Sequence, residues 1–282
     1  MTRIAVASGK GGTGKTTVAT SLAVVLAREL SVHLLDCDVE APNAGLLLQP
    51  RIDLVEQVTR PTPVVDDSFC NRCGRCSDVC RFHAIATTPK KVLVFPELCH
   101  GCGGCTRACP VGAISESQRM VGEIAEGHAG KIRFTEGRLH AGETATVQVI
   151  RAVRRREAAV EVAIFDAPPG ASCPVVATME GVDWVLLVTE PTPFGLSDFR
   201  LAVDTAQILG SRIAVVINRD GSGDDRIDRY CASVGLPIAG RIADDRKVAE
   251  AYSRGELPVD TVPGFRAEIE AIGAYLTAEV LA

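Results

Sequence analysis

The stretch SGKGGTGKTT, residues 8–17, decides the fold. A short apolar run before it, Arg3–Ala7, predicts a buried strand, and Lys15–Glu29 predicts a helix with its apolar residues on one face. A glycine-rich turn between a strand and a helix is the phosphate-binding P-loop pattern. Its glycines let successive backbone N–H groups turn toward one anion, and the positive end of the helix favours that anion further. The sequence therefore predicts a nucleoside triphosphate site after the first strand.

The residues of this loop have separate expected roles. Lys15 is expected to reach the β and γ phosphates, and the Thr16 hydroxyl is expected to bind Mg²⁺. The other residues expected to bind the nucleotide here are Gly9, Gly11, Gly12, Thr13, Gly14 and Thr17. The alternative is a glycine-rich turn without a ligand, which the strand before it and the helix after it disfavour.

The chain outside residues 61–115 alternates strand and helix patterns. Further buried strands are predicted at Val32–Leu35, Val160–Phe165, Val182–Val188, Arg212–Ile217 and Pro237–Gly240. Helices such as Ser197–Leu209 separate them, and crossovers of this kind produce a parallel sheet that is covered on both faces. The predicted fold class is α/β, a doubly wound and mostly parallel P-loop sheet, with a small antiparallel hairpin at Met120–Leu139 and a helix at Thr144–Arg156.

A duplicated cysteine segment interrupts this alternation. The spacing C-x₂-C-x₂-C-x₃-C occurs twice, 29 residues apart, and eight of the eleven cysteines belong to it. The first copy is Cys70, Cys73, Cys76 and Cys80, and the second is Cys99, Cys102, Cys105 and Cys109. A repeat inside another fold indicates an inserted domain. The predicted domains are therefore residues 1–60 and 116–282 as two parts of one P-loop domain, with a small α+β insert at 61–115.

The spacing of the cysteines resembles that of bacterial two-cluster ferredoxins, and the second copy ends in Cys109-Pro110 as theirs does. The resemblance implies two [4Fe–4S] clusters, each held by three cysteines of one copy and the fourth cysteine of the other. The implied sets are Cys70, Cys73, Cys76 and Cys109, and Cys99, Cys102, Cys105 and Cys80. Zinc is the rival metal, because paired C-x₂-C groups also form tetrahedral zinc sites.

The early lysine of the phosphate loop, Lys10, extends the resemblance. Two lysines in KGGTGKTT resemble the deviant Walker A motif of the MinD, ParA, Mrp and nitrogenase iron protein superfamily. In these proteins the early lysine reaches the nucleotide of the other subunit, so the resemblance implies that Lys10 acts in trans in a homodimer or in a heterodimer with a related ATPase. The alternative is a solvated loop charge.

Further residues are assigned by the same resemblance. In LLDCDVEAPN, Asp38 matches the switch I residue that positions or activates the attacking water, with Asn43 nearby. In VAIFDAPPG, Asp166 matches the Walker B residue that holds Mg²⁺ through water, and Gly170 is expected to donate its N–H to the γ-phosphate. Asn218 in VVINRD is placed where relatives recognise adenine. The segment RIADD, residues 241–245, lies at the end of the next predicted strand. It lacks a proline that the family usually has there, so Asp244 and Asp245 receive no role.

Composition excludes several classes of partner. The net charge of −5 gives no reason to expect nucleic acid, and no apolar run approaches the length of a membrane span. The last residues, GFRAEIEAIGAYLTAEVLA, lack the basic character of a surface anchor. Without a signal peptide, the expected location is the cytoplasm. Cys173 follows Asp166 much as a cluster-bridging cysteine does in the nitrogenase iron protein, but it is expected to be a buried, inert thiol.

The resemblance to P-loop ATPases of the MinD and Mrp type, with an inserted two-cluster ferredoxin domain, implies an ATP hydrolase. ATP, Mg²⁺ and two [4Fe–4S] clusters are the expected cofactors, and nucleotide-dependent dimerisation is expected to gate electron transfer to a redox partner. Two alternatives stay open. One is an Mrp-like carrier or assembly ATPase that delivers clusters to an Fe–S partner protein, although no Cys-x-x-Cys pair follows Cys109. The other is a MinD/ParA-like positioning ATPase whose clusters are structural.

Overall fold

A computed structural model describes residues 1–279 of the chain. Its strands are β1 Thr2–Ala7, β2 Val32–Asp36, β3 Arg51–Val65, β4 Ile85–Thr87, β5 Val92–Val94, β6 Ile114–Ala129, β7 Ile132–Leu139, β8 Val162–Asp166, β9 Trp184–Thr189, β10 Arg212–Asp220 and β11 Ile238–Ala243. Its helices are α1 Lys15–Leu26, α2 Ala44–Leu48, α3 Arg75–Val79, α4 Gly104–Ala108, α5 Thr146–Arg154, α6 Cys173–Met179, α7 Pro193–Ile208, α8 Arg226–Val234, α9 Arg246–Ser253, α10 Pro258–Thr261 and α11 Pro263–Glu279, with a 3₁₀ turn at Pro96–Leu98.

The main sheet confirms the predicted α/β class. Its order is β11-β10-β9-β1-β8-β2-β7-β6-β3, and every pair from β11 to β7 is parallel. The strands β2 and β8 are buried along their whole length, as expected where helices cover both faces. The sheet packs against helices such as α1 and α11, whose buried residues include Leu22 and Ile269. This doubly wound arrangement brings the carboxyl ends of β1, β2 and β8 to one edge.

Two long strands extend the sheet beyond what the sequence predicted. The hairpin expected at Met120–Leu139 has its turn at Gly130 and Lys131, but its first strand β6 already begins at Ile114. The strand β3 was not predicted at all. Its first seven residues, 51–57, are exposed. The sequence alternates polar and apolar residues from Arg51 to Leu54, a strand signal that the prediction missed.

The chain divides into two compact units. The first contains residues 1–55, 124–138 and 150 onward, and the second contains 56–123 together with 139–149. The second unit includes the short antiparallel pair β4 and β5, the helices α3 and α4, and a small core around Ile85 and Ile114. The proposed insert, 61–115, lies within this second unit. That it is a separate ferredoxin-like domain stays a prediction.

No helix within residues 1–279 is long and apolar enough to cross a membrane. The C-terminal stretch examined as a surface anchor belongs to α11 as far as Glu279. Its last three residues, 280–282, lie outside the described part of the chain.

Candidate functional site

The phosphate loop connects β1 to α1 in a conformation that only glycine tolerates at two positions. Gly14 has a left-handed φ of 89°, and a Cβ there would lie 2.4 Å from Nδ2 of Asn218. A Cβ on Gly9 would lie 2.1 Å from the carbonyl oxygen of Asp198. Asn218 Nδ2 donates to the carbonyl oxygen of Thr13 at 2.7 Å. The loop is therefore shaped by close packing against α7 and against the carboxyl end of β10.

Lys15 lies in a group of carboxylates at the start of α1. Its ammonium donates to Asp38 Oδ2 at 2.9 Å, and both side chains are largely buried. Burial by itself lowers the pKa of Lys15, but the charges of Asp166 and Asp38 outweigh this and raise the pKa above its usual value. Lys15 is therefore firmly cationic, which is the state needed to bind phosphate.

Asp36 and Asp166 lie side by side because β2 and β8 are parallel neighbours in register. Asp36 accepts backbone N–H bonds from Asp38, Asn43 and Ala44 at 3.0–3.1 Å, so it shapes the turn that presents Asp38 and Asn43. Burial raises the pKa of both carboxyls, and for Asp36 the charge of Asp166 raises it further. Asp36 is thus a structural carboxyl that the sequence placed at this edge without giving it a role.

The environment of Asp166 fits a divalent cation. The residue is completely buried, and within residues 1–279 neither carboxyl oxygen has a hydrogen-bond partner of regular geometry. The nearby Lys15 ammonium and Thr16 hydroxyl favour its charged form. A buried carboxylate without hydrogen bonds of regular geometry is costly, and oxygen donors of this kind are what Mg²⁺ prefers. Asp166 and Thr16 therefore suit the role of holding Mg²⁺.

A cavity of about 380 Å³ opens next to these side chains. It is bordered by the loop glycines Gly11, Gly12 and Gly14, by Lys15, Thr16, Thr17, Asp38, Asn43 and Asn218, and by Pro169, Arg219, Asp244, Asp245, Tyr252 and Phe265. The structure thus brings most of the expected nucleotide-binding residues to one cavity. Their roles in binding stay predictions.

Sequence reasoning assigned no role to several residues of this cavity. Asp245 accepts the N–H of Lys247 at 2.9 Å and so caps α9, which brings Tyr252 into the cavity. The pKa of Tyr252 is raised by burial, and the charges of Lys15 and the site carboxylates also act on it. One feature of the sequence could have indicated these residues. The segment RIADD lies at the carboxyl end of a strand, where ligands of such sheets bind.

Gly170 and Lys10 each contact their own chain. The N–H of Gly170 donates to the Ser8 carbonyl oxygen at 3.0 Å, so donation to a γ-phosphate requires this segment to move. The Lys10 ammonium donates to Glu190 Oε2 at 3.2 Å.

The second unit groups the cysteines around two separate cavities. Cys70, Cys73 and Cys76 border one cavity together with Cys109. Cys99, Cys102 and Cys105 border the other together with Cys80. Each cavity therefore combines three cysteines of one copy of the motif with the fourth cysteine of the other copy. These are the two sets implied by the ferredoxin resemblance.

Local backbone geometry explains this exchange of cysteines. Cys80 and Cys109 each follow a five-residue helix, α3 or α4, and take an extended conformation there. The N–H groups of Ala84 and Ala113 then donate to their sulfurs at 3.3 and 3.2 Å. Such N–H···S contacts are what a cluster ligand receives from its surroundings.

Within residues 1–279, no three Cys, His, Asp or Glu side chains converge on a single metal ion. The ligands of a cubane bind four different irons at its corners, so they do not need to converge on one point. Whether the two four-cysteine sets hold [4Fe–4S] clusters or zinc therefore stays a prediction.

The three cysteines outside the motif differ from one another. Cys37 and Cys231 are buried, as expected of small apolar side chains. The expectation of a buried Cys173 is wrong, because this residue is exposed. Cys173 is the first residue of α6, after the turn at Gly170, so it is not part of a strand of the sheet.

Comparison with known proteins identifies the fold. The CobQ/CobB/MinD/ParA nucleotide binding domain matches residues 4–259. This chain belongs to that family. This chain is 38% identical over 222 residues to the uncharacterized protein MJ0578 of Methanocaldococcus jannaschii. The alignment covers 78% of each chain. A second uncharacterized protein of that organism, MJ0579, is 29% identical over 90% of each chain.

A solved structure and a short sequence match give two further similarities to this chain. The septum site-determining protein MinD from Pyrococcus horikoshii, complexed with Mg-ADP, aligns with a TM-score of 0.61 at 18% identity, covering 100% of this chain and 98% of that one. An iron-sulfur cluster carrier protein of Pseudomonas fragi is 53% identical over 45 residues, which is 16% of either chain. The first likeness shows the fold alone.

Proposed function

We propose that this ATPase couples an ATP-driven dimerisation cycle to electron transfer through two [4Fe–4S] clusters. One observation supports the clusters most strongly. The eight cysteines of the duplicated motif border two cavities, each with three cysteines of one copy and the fourth of the other. Exchange of the fourth cysteine is the ligand arrangement of two-cluster ferredoxins, which carry electrons.

The nucleotide site is proposed to bind ATP with Mg²⁺. Lys15 binds the β and γ phosphates once it leaves Asp38, and Asp38 is then free to orient the attacking water. Asp166 and Thr16 hold Mg²⁺, which supplies positive charge against the phosphate oxygens when it is bound. Asn218 and the cavity beside Asp244 are proposed to receive the adenine.

Dimerisation is proposed to complete the site. Lys10 of one copy reaches the phosphates bound by the other copy, and loss of the γ-phosphate releases the segments around Asp38 and Gly170. The MinD structure with Mg-ADP supports this site by its similar fold. When bound, the clusters supply one-electron transfer between a low-potential donor and an acceptor protein, and the protein's nucleotide state decides when that acceptor can approach.

A second candidate is cluster delivery. The short match to iron-sulfur cluster carrier proteins favours it. A carrier gives its cluster away, whereas an electron carrier keeps it. The two functions therefore differ in what happens to the iron.

The proposal is tested with protein purified under anaerobic conditions. Iron, sulfide and zinc are counted for each chain, and the protein is then incubated with an apo-ferredoxin and Mg·ATP. We expect about eight irons per chain, which stay on the protein. Zinc in place of iron contradicts the clusters, and transfer of iron and sulfide to the apo-ferredoxin selects the carrier function.

A further inference from the structure

The side chain of Lys10 is held by its own chain through Glu190. The Lys10 ammonium lies 3.2 Å from Glu190 Oε2, and the other carboxylate oxygen, Oε1, lies 3.2 Å from Nη1 of Arg219. Only 7% of the Glu190 side chain is exposed, against 31% for Lys10. One largely buried carboxylate thus bridges the early lysine of the phosphate loop and an arginine that borders the nucleotide cavity.

Arg219 is itself fixed in an unusual conformation. Its φ is 55°, in the left-handed region that residues other than glycine rarely adopt, and the register of β10 against β11 shifts at this point. Its N–H donates to Asn218 Oδ1 at 2.9 Å, and its Nη2 donates to the Gly12 carbonyl oxygen at 3.2 Å. A strained residue that persists is held by its contacts. Arg219 therefore fixes Glu190 relative to the phosphate loop.

We propose that Glu190 is a positioning residue that holds the Lys10 ammonium in its own chain until a second, ATP-loaded copy competes for it. Lys10 then exchanges the carboxylate of Glu190 for the phosphates bound by the other copy. This inference rests on the proposed function, in which Lys10 acts in trans. It identifies Glu190 as the group from which Lys10 must be released. The free energy needed for this release opposes dimerisation.

The surroundings of Glu190 make this exchange feasible. A buried carboxylate that loses its only cation is strongly destabilised, but Glu190 keeps Arg219 when Lys10 leaves. An ion pair that is partly shielded from water is also stronger than an exposed one, so Glu190 competes effectively with the phosphates. A symmetric dimer requires two such releases. Removing a pair of ordinary strength should release Lys10 about threefold more easily in each chain. The dimer dissociation constant should then fall about tenfold, because the two factors multiply.

Glu190→Gln tests this inference by removing the carboxylate charge while keeping the shape of the side chain. Dimer formation is measured by sedimentation over a range of protein concentrations with Mg²⁺ and a nonhydrolysable ATP analogue. We expect the dimer dissociation constant to fall about tenfold. Glu270→Gln, which removes the partner of Arg28 in an exposed ion pair, is the matched control and should leave it unchanged. An unchanged or weaker dimer of Glu190→Gln overturns the inference.

Two further variants keep the test decisive. If Glu190→Gln does not fold, Glu190→Asp shortens the reach to Lys10 but keeps a negative charge beside Arg219, and it should also tighten the dimer, by a smaller factor. Adding Glu190→Gln to Lys10→Ala should change nothing, because Glu190 acts through Lys10. If Lys10→Ala alone leaves the dimer unaffected, the role of Lys10 in trans is wrong. If Lys10→Ala weakens the dimer and Glu190→Gln does not tighten it, only the role of Glu190 is wrong.

Discussion

At the scale of single residues, the site is a set of charges that already compensate one another. Lys15 pairs with Asp38, and Lys10 pairs with Glu190. The charge of Lys15 also partly offsets the buried Asp166. Each lysine that is proposed to bind phosphate therefore leaves a carboxylate of its own chain to do so. ATP binding is in this sense an exchange of ion pairs within the chain for ion pairs with phosphate. The carboxylates that lose their lysines stay in the site and affect which ligands bind there.

The two lysines are predicted to differ in what their removal does. Lys10→Ala should leave ATP binding intact, because the other loop contacts remain, but should lower ATP turnover at least tenfold, since a charge supplied in trans acts on the transition state. Binding is measured with a fluorescent ATP analogue and turnover by phosphate release. Lys131→Ala, which removes an exposed lysine in the turn between β6 and β7, is the control. Turnover of Lys10→Ala equal to that of the control would show that Lys10 has no role in trans.

His33 provides a prediction about pH. It is buried in β2, where its Nδ1 accepts the N–H of Ala158 at 3.1 Å and its Nε2 lies 2.9 Å from Thr135 Oγ1, so the ring is neutral with its proton on Nε2. Burial, and next the charge of Arg133, lower its pKa from 6.5 to about 3. The unfolded chain therefore binds a proton below pH 6.5 that the folded chain does not. Stability is lost as pH falls from 6.5 toward 3.

The effect of His33 is isolated by a substitution. Between pH 7 and pH 5, protonation of His33 in the unfolded chain should lower the free energy of unfolding by about 2 kcal/mol. His33→Gln, which cannot titrate, should lose correspondingly less over the same interval. Urea unfolding followed by circular dichroism at both pH values gives the difference between the two proteins. Equal losses would mean that His33 is protonated in the folded state.

At the scale of secondary structure, the sequence predicted those elements that have a strong apolar pattern. The strands β1, β2 and β8 are mostly buried apolar runs, and their positions agree with the structure to within two residues. The strand β3 was missed because its polar–apolar alternation at 51–54 is short and two prolines, Pro61 and Pro63, follow in the same strand. The helix α1 ends at Leu26, earlier than expected, because Ala27 to Leu30 form turns.

The candidate site was predictable only where one local motif defines it. The phosphate loop and the cysteine spacing are local, and the structure brings their residues to cavities. Glu190, Arg219 and Tyr252 depend on how distant segments meet, and no short pattern marks them. Arg219 in particular takes its place through a shift in the register of β10, which a single sequence does not reveal.

The exchange of cysteines between α3 and α4 gives a prediction at this scale. Cys109 belongs to the second copy of the motif but borders the cavity of Cys70, Cys73 and Cys76. Cys109→Ser should therefore disturb the cluster proposed for the first copy and leave the other intact, so that iron falls from about eight to about four per chain. The remaining cluster should keep the electron paramagnetic resonance signal of the set that contains Cys80.

Cys231→Ser is the control for this experiment, because Cys231 is buried in α8 and does not belong to the motif, so its replacement should not change the iron content. If Cys109→Ser instead removes the cluster of Cys99, Cys102 and Cys105, the ligand sets are not exchanged between the two copies.

At the scale of the whole molecule, one chain combines a nucleotide-binding unit of the MinD/ParA type with a second unit that contains the cysteine cavities. The strands β3 and β6 and the helix α5 each begin in one unit and continue into the other. A change around Asp38 or Asp166 during the nucleotide cycle is proposed to alter the access of an acceptor protein to the clusters.

The rate of electron transfer to an acceptor tests this central claim most directly. The anaerobic protein is reduced with dithionite, separated from excess reductant, and mixed with an oxidised ferredoxin while the cluster absorbance is followed. The account predicts a reoxidation rate at least tenfold different with Mg·ATP and with Mg·ADP, and a loss of that difference in Lys10→Ala. The same rate with ATP, with ADP and without nucleotide would contradict it.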